Sequence, residues 1–186
     1  MLNINFSPFP ILKSPKIYLR QITEVDSDKI FELRSNPQTM RFIPRPLATT
    51  KQDAVDLITL MNDKIISNTA INWAITLPDN DDLIGIIGHY RIDTENYRSE
   101  IGYILNPNFH NKGIITAAIE LVLQYGFTKL QLHSVEARLD PNNFASEKVL
   151  LKNCFVKEAH FIENEFFEGK FIDTVIYSLL KKRYLS

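Results

Sequence analysis

Cysteine is the scarcest resource of this chain: one residue, Cys154, in 186, so no internal disulfide can form. An excess of charge of either sign is also missing, with 21 Lys and Arg against 22 Asp and Glu and a formal net charge of −1. That balance gives no general pull toward nucleic acid or a membrane surface, so an anionic ligand must be held by a local site. No run approaches the ~20 consecutive apolar residues that cross a bilayer. The opening MLNINFSPFPILKSPK lacks a basic stretch followed by a long apolar core, and the expectation is a reduced, cytoplasmic setting. Gly-x-x-x-x-Gly-Lys-Ser/Thr does not occur, which excludes a nucleotide P-loop. His89 and His133 fall in separate predicted strands without metal-ligand spacing, and no metal is expected. There is no internal repeat and no low-complexity tract.

What is present is ordinary globular material, 45% hydrophobic and 23% charged. A chain of this length buries roughly 70% of its unfolded surface, and one domain over 1–186 is the simplest division. Pro8, Pro10 and Pro15 predict that residues 1–16 run extended along the surface before a first strand at Ile17-Tyr18-Leu19. Thr23 with Asp26, and Thr50 with Asp53, are capping signals ahead of two helices. Ala54, Leu57, Ile58, Met61 and Ile65 follow the second at helical spacing, and the proline-broken Met40 to Leu47 between them reads as a loop. Ile71 to Leu77 and Leu83 to Ile92 form a hairpin about Pro78 to Asp82. A strand over Leu130 to Leu139, a helix over Phe144 to Lys152 capped by Asn142 or Asn143, and strands over Lys157 to Asn164 and Phe171 to Leu180 complete the order. Phe161, Phe166, Phe167 and Phe171 in that last pair are read as core. The count gives a mixed α/β fold with a largely antiparallel sheet.

The middle of the chain, SEIGYILNPNFHNKGIITAAIELVLQYGF (Ser99 to Phe127), carries the chemistry. Ile101, Tyr103 and Leu105 belong to a strand that Asn106-Pro107 closes. Ile114, Ala117/Ala118, Leu121 and Tyr125 place a helix from about Gly113 until Gly126 ends it. The first turn of a helix has backbone N–H groups without partners and a mildly positive potential, and a glycine there lets a phosphate approach the backbone.

Leu105-Asn106-Pro107-Asn108-Phe109-His110-Asn111-Lys112-Gly113-Ile114-Ile115 resembles the acyl-CoA pyrophosphate loop of GNAT-type N-acetyltransferases, Arg/Gln-x-x-Gly-x-Gly/Ala. Gly113 matches the family glycine, whereas His110 and Ile115 replace the Arg/Gln and the second small residue. A downstream block, Asn143, Ser146, Val149, Leu150, Lys152 and Phe155, is similar in register to the Asn-x-x-Ser-x-x-Val-Leu-x-Lys-x-Gly-Phe pattern of the ribosomal-protein N-terminal (Rim-type) acetyltransferase branch. Leu19 to Asn36 and Glu100 to Leu105 also look like that branch, and the likeness spans about residues 17 to 180. The element order is that of the GNAT fold, a mixed, mostly antiparallel central sheet with helices on both faces.

The resemblance implies transfer of an acetyl group from acetyl-CoA to a primary amine. The amine would be the N-terminal α-amine of a protein or peptide, with a small-molecule amine, or a CoA-binding regulatory module without catalysis, as alternatives. Acetyl-CoA and an amine acceptor are the implied partners, without nucleic acid, membrane or metal; the oligomeric state is open to a homodimer. The implied cofactor residues are Leu105, whose strand pairs with pantetheine in the family, His110, Asn111, Lys112, Gly113, Ile114, Ile115 and Thr116 of the loop and first helical turn, and Asn143. An ordinary N-cap reads Asn143 equally well. The implied proton acceptor is Glu100, with Glu163 and Asp173 in reserve. Many relatives have a tyrosine where this chain has Leu150; Ser146, one turn earlier, is the implied donor or water-holder for the leaving thiolate. A thiol of pKa ~8.5 leaves with little help. For Ile115 to be tolerated its side chain must turn toward the sheet.

Overall fold

The computed structural model describes residues 1–185. The chain order is β1 (Leu12–Lys13), β2 (Tyr18–Gln21), a 3-10 turn (Glu24–Asp26), α1 (Ser27–Ser35), α2 (Pro37–Met40), α3 (Lys51–Ile66), β3 (Ile71–Leu77), β4 (Asn80–Asp93) and β5 (Arg98–Leu105). A second 3-10 turn (Pro107–Phe109) leads to α4 (Ile114–Thr128), β6 (Ser134–Leu139), α5 (Phe144–Lys152), β7 (Val156–Phe167), β8 (Lys170–Leu180) and α6 (Lys181–Tyr184). The strands form one sheet in the order β1-β2-β3-β4-β5-β6-β8-β7, antiparallel throughout except where β5 meets β6.

Alternation along the strands sends successive side chains to opposite faces, and both faces are covered. Trp73, Ile87, Ile101 and Val135 pack with Ala118, Ile119, Val122 and Phe127 of α4. Ala74 and Ile86 face the other way, against Ile30 and Leu33 of α1 and Ala54, Ile58 and Met61 of α3. Each Ile, Leu, Val or Met side chain among them, fully buried, contributes ~1.5–3 kcal/mol. The start of α3 is built as its sequence indicates: Thr50 accepts from the Asp53 N–H, and the Asp53 carboxylate accepts from the N–H groups of Thr49 and Thr50.

Three expectations are corrected. Residues 1–16 do not lie on the surface throughout: Leu2 and Phe6 are buried in the α4-side core, Leu12 and Lys13 pair with β2, and the Trp73 indole donates to the Pro10 carbonyl at 2.7 Å. The prolines bar a long ladder, but the apolar side chains between them still gain by burial. The aromatic run of the last hairpin is not core. Phe161, Phe166 and Phe171 are exposed because β6 ends opposite Val175, so this part of the hairpin extends past the body of the sheet.

Gly126 does not end α4 but lies inside it. A Cβ there would fall 2.9 Å from Cε1 and Nε2 of the fully buried His89, whose Nδ1 is 2.8 Å from Ser99 Oγ and whose Nε2 is 3.0 Å from the Val122 carbonyl oxygen. Burial lowers the His89 pKa to about 4, so the ring is neutral and spans β5 and α4 as a fixed bridge. Gly126→Ala is therefore expected to destabilise the fold by ~1–3 kcal/mol, overpacking a ring that cannot move. Thermal unfolding checks this; an unchanged midpoint would show that the ring yields.

Candidate active site

The site forms where the sheet splits. The parallel ladder of β5 and β6 holds only for Arg98 with Ser134, Ser99 with Val135 and Glu100 with Glu136. Beyond Glu100 the strands part, and Ile101 to Leu105 have no partner on that side. A fork of this kind leaves backbone donors and acceptors open to an extended ligand. Ile101, Tyr103 and Leu105 face α4, and Ile104 faces α1 and α3. Alternation puts Glu100 on the Ile104 side.

At the far end of β5 the chain turns through Asn106 to Gly113. Asn111 (φ 59°) and Gly113 (φ 70°) are both left-handed, and Gly113 is the N-cap of α4. The first intrahelical bond is Ala117 N–H to the Gly113 carbonyl, which leaves the N–H groups of Ile114, Ile115 and Thr116 without helical partners. Ile114 is buried and Ile115 packs against the core, so the isoleucine at the small-residue position does turn inward, away from those amides. Lys112 Nζ donates to the Asn108 carbonyl at 2.9 Å, and His110 Nε2 lies 3.2 Å from the Leu105 carbonyl oxygen. Both side chains are thus folded back onto their own loop. The cation over the loop is one the sequence pattern did not single out: Lys16 Nζ donates to the Lys112 carbonyl at 3.1 Å and stands 3.1 Å from where a Gly113 Cβ would be.

Across the fork, α5 begins with Asn143, whose side-chain oxygen accepts from the Ser146 N–H at 3.2 Å. That is the N-cap reading, and it leaves the amide NH2 without a bond in this cap. The Tyr177 hydroxyl of β8 donates to Glu147 and fixes this first turn. Leu150 is buried and carries no proton. A second residue absent from the sequence reading appears instead, Tyr103 of β5. Its hydroxyl is buried without a hydrogen-bond partner, although the Ser146 hydroxyl is its polar neighbour, and burial pushes the phenol up to about 12.

Glu100 stands at the fork itself, its side chain 18% exposed. Arg91 Nη1 is 3.1 Å and Arg138 Nε 3.7 Å from Oε2, but neither is aligned for a hydrogen bond, so this oxygen is buried without a donor. Burial raises the carboxyl pKa; Arg91 and Arg138 oppose the shift, and Glu136 and Glu165 add to it. Arg91 is aimed at the carboxylate by a bulge in β4 between Tyr90 and Asp93, where its φ is 45°. A cavity of about 350 Å³ opens on this face between Arg45, Lys64, Thr69, Tyr90, Arg91 and Glu100. The reserve carboxylates are placed elsewhere. Asp173 accepts from the Glu163 N–H at 2.9 Å and lies 2.7 Å from His160 Nε2, on the protruding hairpin.

The arrangement has the parts needed to hold an extended acyl carrier with an anionic end. These are an unpaired strand edge, a glycine-gated helix start with three free amides and a lysine, and an orphaned phenol inside the fork. On the opposite face a poorly solvated carboxylate meets a cavity wide enough for a second substrate. No helix is long and apolar enough to cross a membrane, and no group of three or more His, Cys, Asp or Glu that could hold a metal occurs among the described residues.

Comparison with known proteins bears on the same segments. The acetyltransferase (GNAT) domain model matches residues 16–156. The chain is 34% identical over 173 residues to the uncharacterized N-acetyltransferase p20 of Bacillus licheniformis, a match covering 93% of this chain and 97% of that protein. Spermidine N-acetyltransferase from Vibrio cholerae, solved with CoA and spermine, superposes with a TM-score of 0.82 at 24% identity, covering 93% of this chain and all of that one. RimL, the ribosomal L7/L12 alpha-N-protein acetyltransferase solved with CoA, does so with a TM-score of 0.83 at 18% identity, over 92% and 98%.

Proposed function

The chain belongs to the GNAT acetyltransferase family and is an acetyl-CoA-dependent N-acetyltransferase, and on that footing we propose that its acceptor is the N-terminal α-amine of a protein or peptide. The observation that carries this reading is Glu100, a carboxylate with raised pKa at the mouth of a cavity beside the fork. Even with its pKa raised, a carboxylate suits an amine already close to neutrality better than a strongly basic one. An α-amino group has a pKa near 7.7–8.0 and lysine near 10.4, so neutralising lysine costs over ~3 kcal/mol more at ~1.36 kcal/mol per unit. The fold by itself does not choose the acceptor, since the similar structures are of enzymes named for spermidine and for a ribosomal protein.

Acetyl-CoA, when bound, supplies the acetyl thioester. This chain's residues would hold it through the free edge of β5 down to Leu105, the amides of Ile114, Ile115 and Thr116, the glycine turn at Gly113, the Asn111 and Lys112 backbone, Lys16, and the Asn143 amide. Glu100 accepts the ammonium proton, directly or through water. Tyr103 Oη, protonated at any physiological pH, is the hydrogen-bond donor available to the departing sulfur, with Ser146 beside it, and the thiolate takes its proton afterwards from solvent. Tyr103 takes the place of the tyrosine lacking at Leu150.

Tyr103→Phe is expected to lower kcat only about threefold to tenfold, because a thiolate of pKa ~8.5 is already a good leaving group. The same change removes an unpartnered buried hydroxyl and should raise stability by ~1 kcal/mol or leave it unchanged. A kcat as high as the parent's would remove Tyr103 from the mechanism, and a drop in melting temperature would make it structural.

Acetyl-CoA consumption over a library of unblocked peptides tests the acceptor. Turnover with peptides, abolished by N-terminal blocking, is the expected result. Failure of every peptide while a polyamine or amino acid is acetylated would transfer the reading to a small amine, and silence with every amine despite CoA binding would make the domain a regulatory module.

A further inference from the structure

The acceptor cavity is lined by three cations and one carboxylate, and most of those cations have been given no anion. Arg45 comes from the loop between α2 and α3, Lys64 from the last turn of α3, Arg91 from the β4 bulge, and Glu100 is the lone acid of the lining. Arg91 is spent on Glu100, while Arg98 and Arg138 share Glu136. Arg45 has only the neighbouring Pro44 carbonyl, at 2.9 Å, and Lys64 has no side-chain partner. Arg34, half-buried, is a further cation that feels both Tyr90 and Arg45. No carboxylate lies within 4 Å of Arg34, Arg45 or Lys64 among the described residues.

Lys64 has an ordinary role as a cation at a helix C-terminus. That role explains neither exposed Arg45, whose side chain has only the Pro44 carbonyl, nor half-buried Arg34, which is desolvated and feels the like charge of Arg45 with no carboxylate within 4 Å. Such a pair is unfavourable in the free protein and is relieved when an anion enters. A polyamine entering the same cavity meets three positive charges for every negative one.

We infer that the acceptor carries a carboxylate beside its reactive amine, the amine lying at Glu100 and the carboxylate at Arg45 and Lys64. The inference rests on the reading of the Glu100 face as the acceptor side. Two sources supply this chemistry: an acidic side chain in the first residues of a peptide, or the α-carboxylate of a free amino acid.

Matched acceptors differing in charge test it: peptides with Glu or Lys at the second and third positions, a free amino acid against its amide, and spermidine. The acidic peptide is expected to exceed the basic one in kcat/KM by about tenfold or more at low salt, mostly through KM, with the gap closing as salt screens the site. Turnover of the free amino acid but not its amide would assign the second source. The exposed pair Arg45→Glu/Lys64→Glu should invert the preference while CoA affinity stays unchanged, which also shows that the variant folds. Calorimetric binding of the peptides in the presence of CoA gives a readout independent of turnover. Charge-selective binding without turnover would sink the catalytic reading and keep this one. Equal use of acidic and basic acceptors, or preference for spermidine, overturns it.

Discussion

Glu100→Gln is expected to lower kcat about 10²–10³-fold, the scale of a lost general base, while CoA affinity changes little. The pH profile identifies the cause. Activity needs the ionised carboxylate, and burial raises the Glu100 pKa, so the acid limb of kcat in the parent should be displaced upward from the ordinary glutamate range. In the glutamine variant that limb should vanish. Stability should move the other way. A carboxyl whose folded pKa is raised contributes stability below its unfolded pKa and loses it as pH rises through the folded value. At neutral pH the parent therefore carries a poorly solvated charge that glutamine does not, and the melting temperature of Glu100→Gln should equal or exceed the parent's. Part of any gain is offset because Arg91 and Arg138 lose a partner, and these partly exposed pairs are worth little. A variant with full activity would remove Glu100 as base. Loss of activity together with melting temperature would make it a structural residue, and Glu136 the next carboxylate to test.

What the sequence made legible was local. Thr50 with Asp53, and Asn143 before Phe144, announce helix starts because a cap is satisfied within three residues of itself. Gly113 could be read as a turn glycine because its neighbours are an apolar strand and an apolar helix. Most of the errors and omissions are contacts across long stretches of chain. Gly126 looks like a helix stop by local rules, yet it is a helix interior glycine because His89 occupies the space its side chain would need. Lys16 reaches the Lys112 carbonyl from 96 residues away, and Tyr103 meets Ser146 only because the sheet forks between them. His110 stands at the position of a phosphate-binding residue in the family pattern, but the short Pro107–Phe109 turn carries its ring back to Leu105. Spacing alone could not distinguish a side chain pointing out of a loop from one closing it.

That division bears on how the cofactor end of the site can work without the family's arginine or second glycine. With His110 and Lys112 both turned onto their own loop, the anion site we propose is the three free amides of α4 and the ammonium of Lys16. Gly113 sets the geometry of all of them. At φ 70° it occupies a region that costs an L-residue ~1–2 kcal/mol, and a β-branched one more. Gly113→Val is therefore expected to drive the loop out of this conformation and turn the Ile115 and Thr116 amides away. Hydrogen bonds to charged groups are worth ~1.5–3 kcal/mol each, so losing two should weaken CoA binding by about 100-fold or more. The rest of the fold should survive, since the position is exposed and the nearest group to the new Cβ is the mobile end of Lys16, 3.1 Å away. Lys16→Gln serves as the graded comparison: it removes one charge without touching the backbone and should cost no more than about tenfold, with a reduced salt dependence. Calorimetric titration of CoA into both variants decides between the two contributions. Near-parent affinity in Gly113→Val would mean that the helix start is not the anion site. A larger loss in Lys16→Gln than in Gly113→Val would make the lysine, delivered by the N-terminal segment, the principal phosphate ligand.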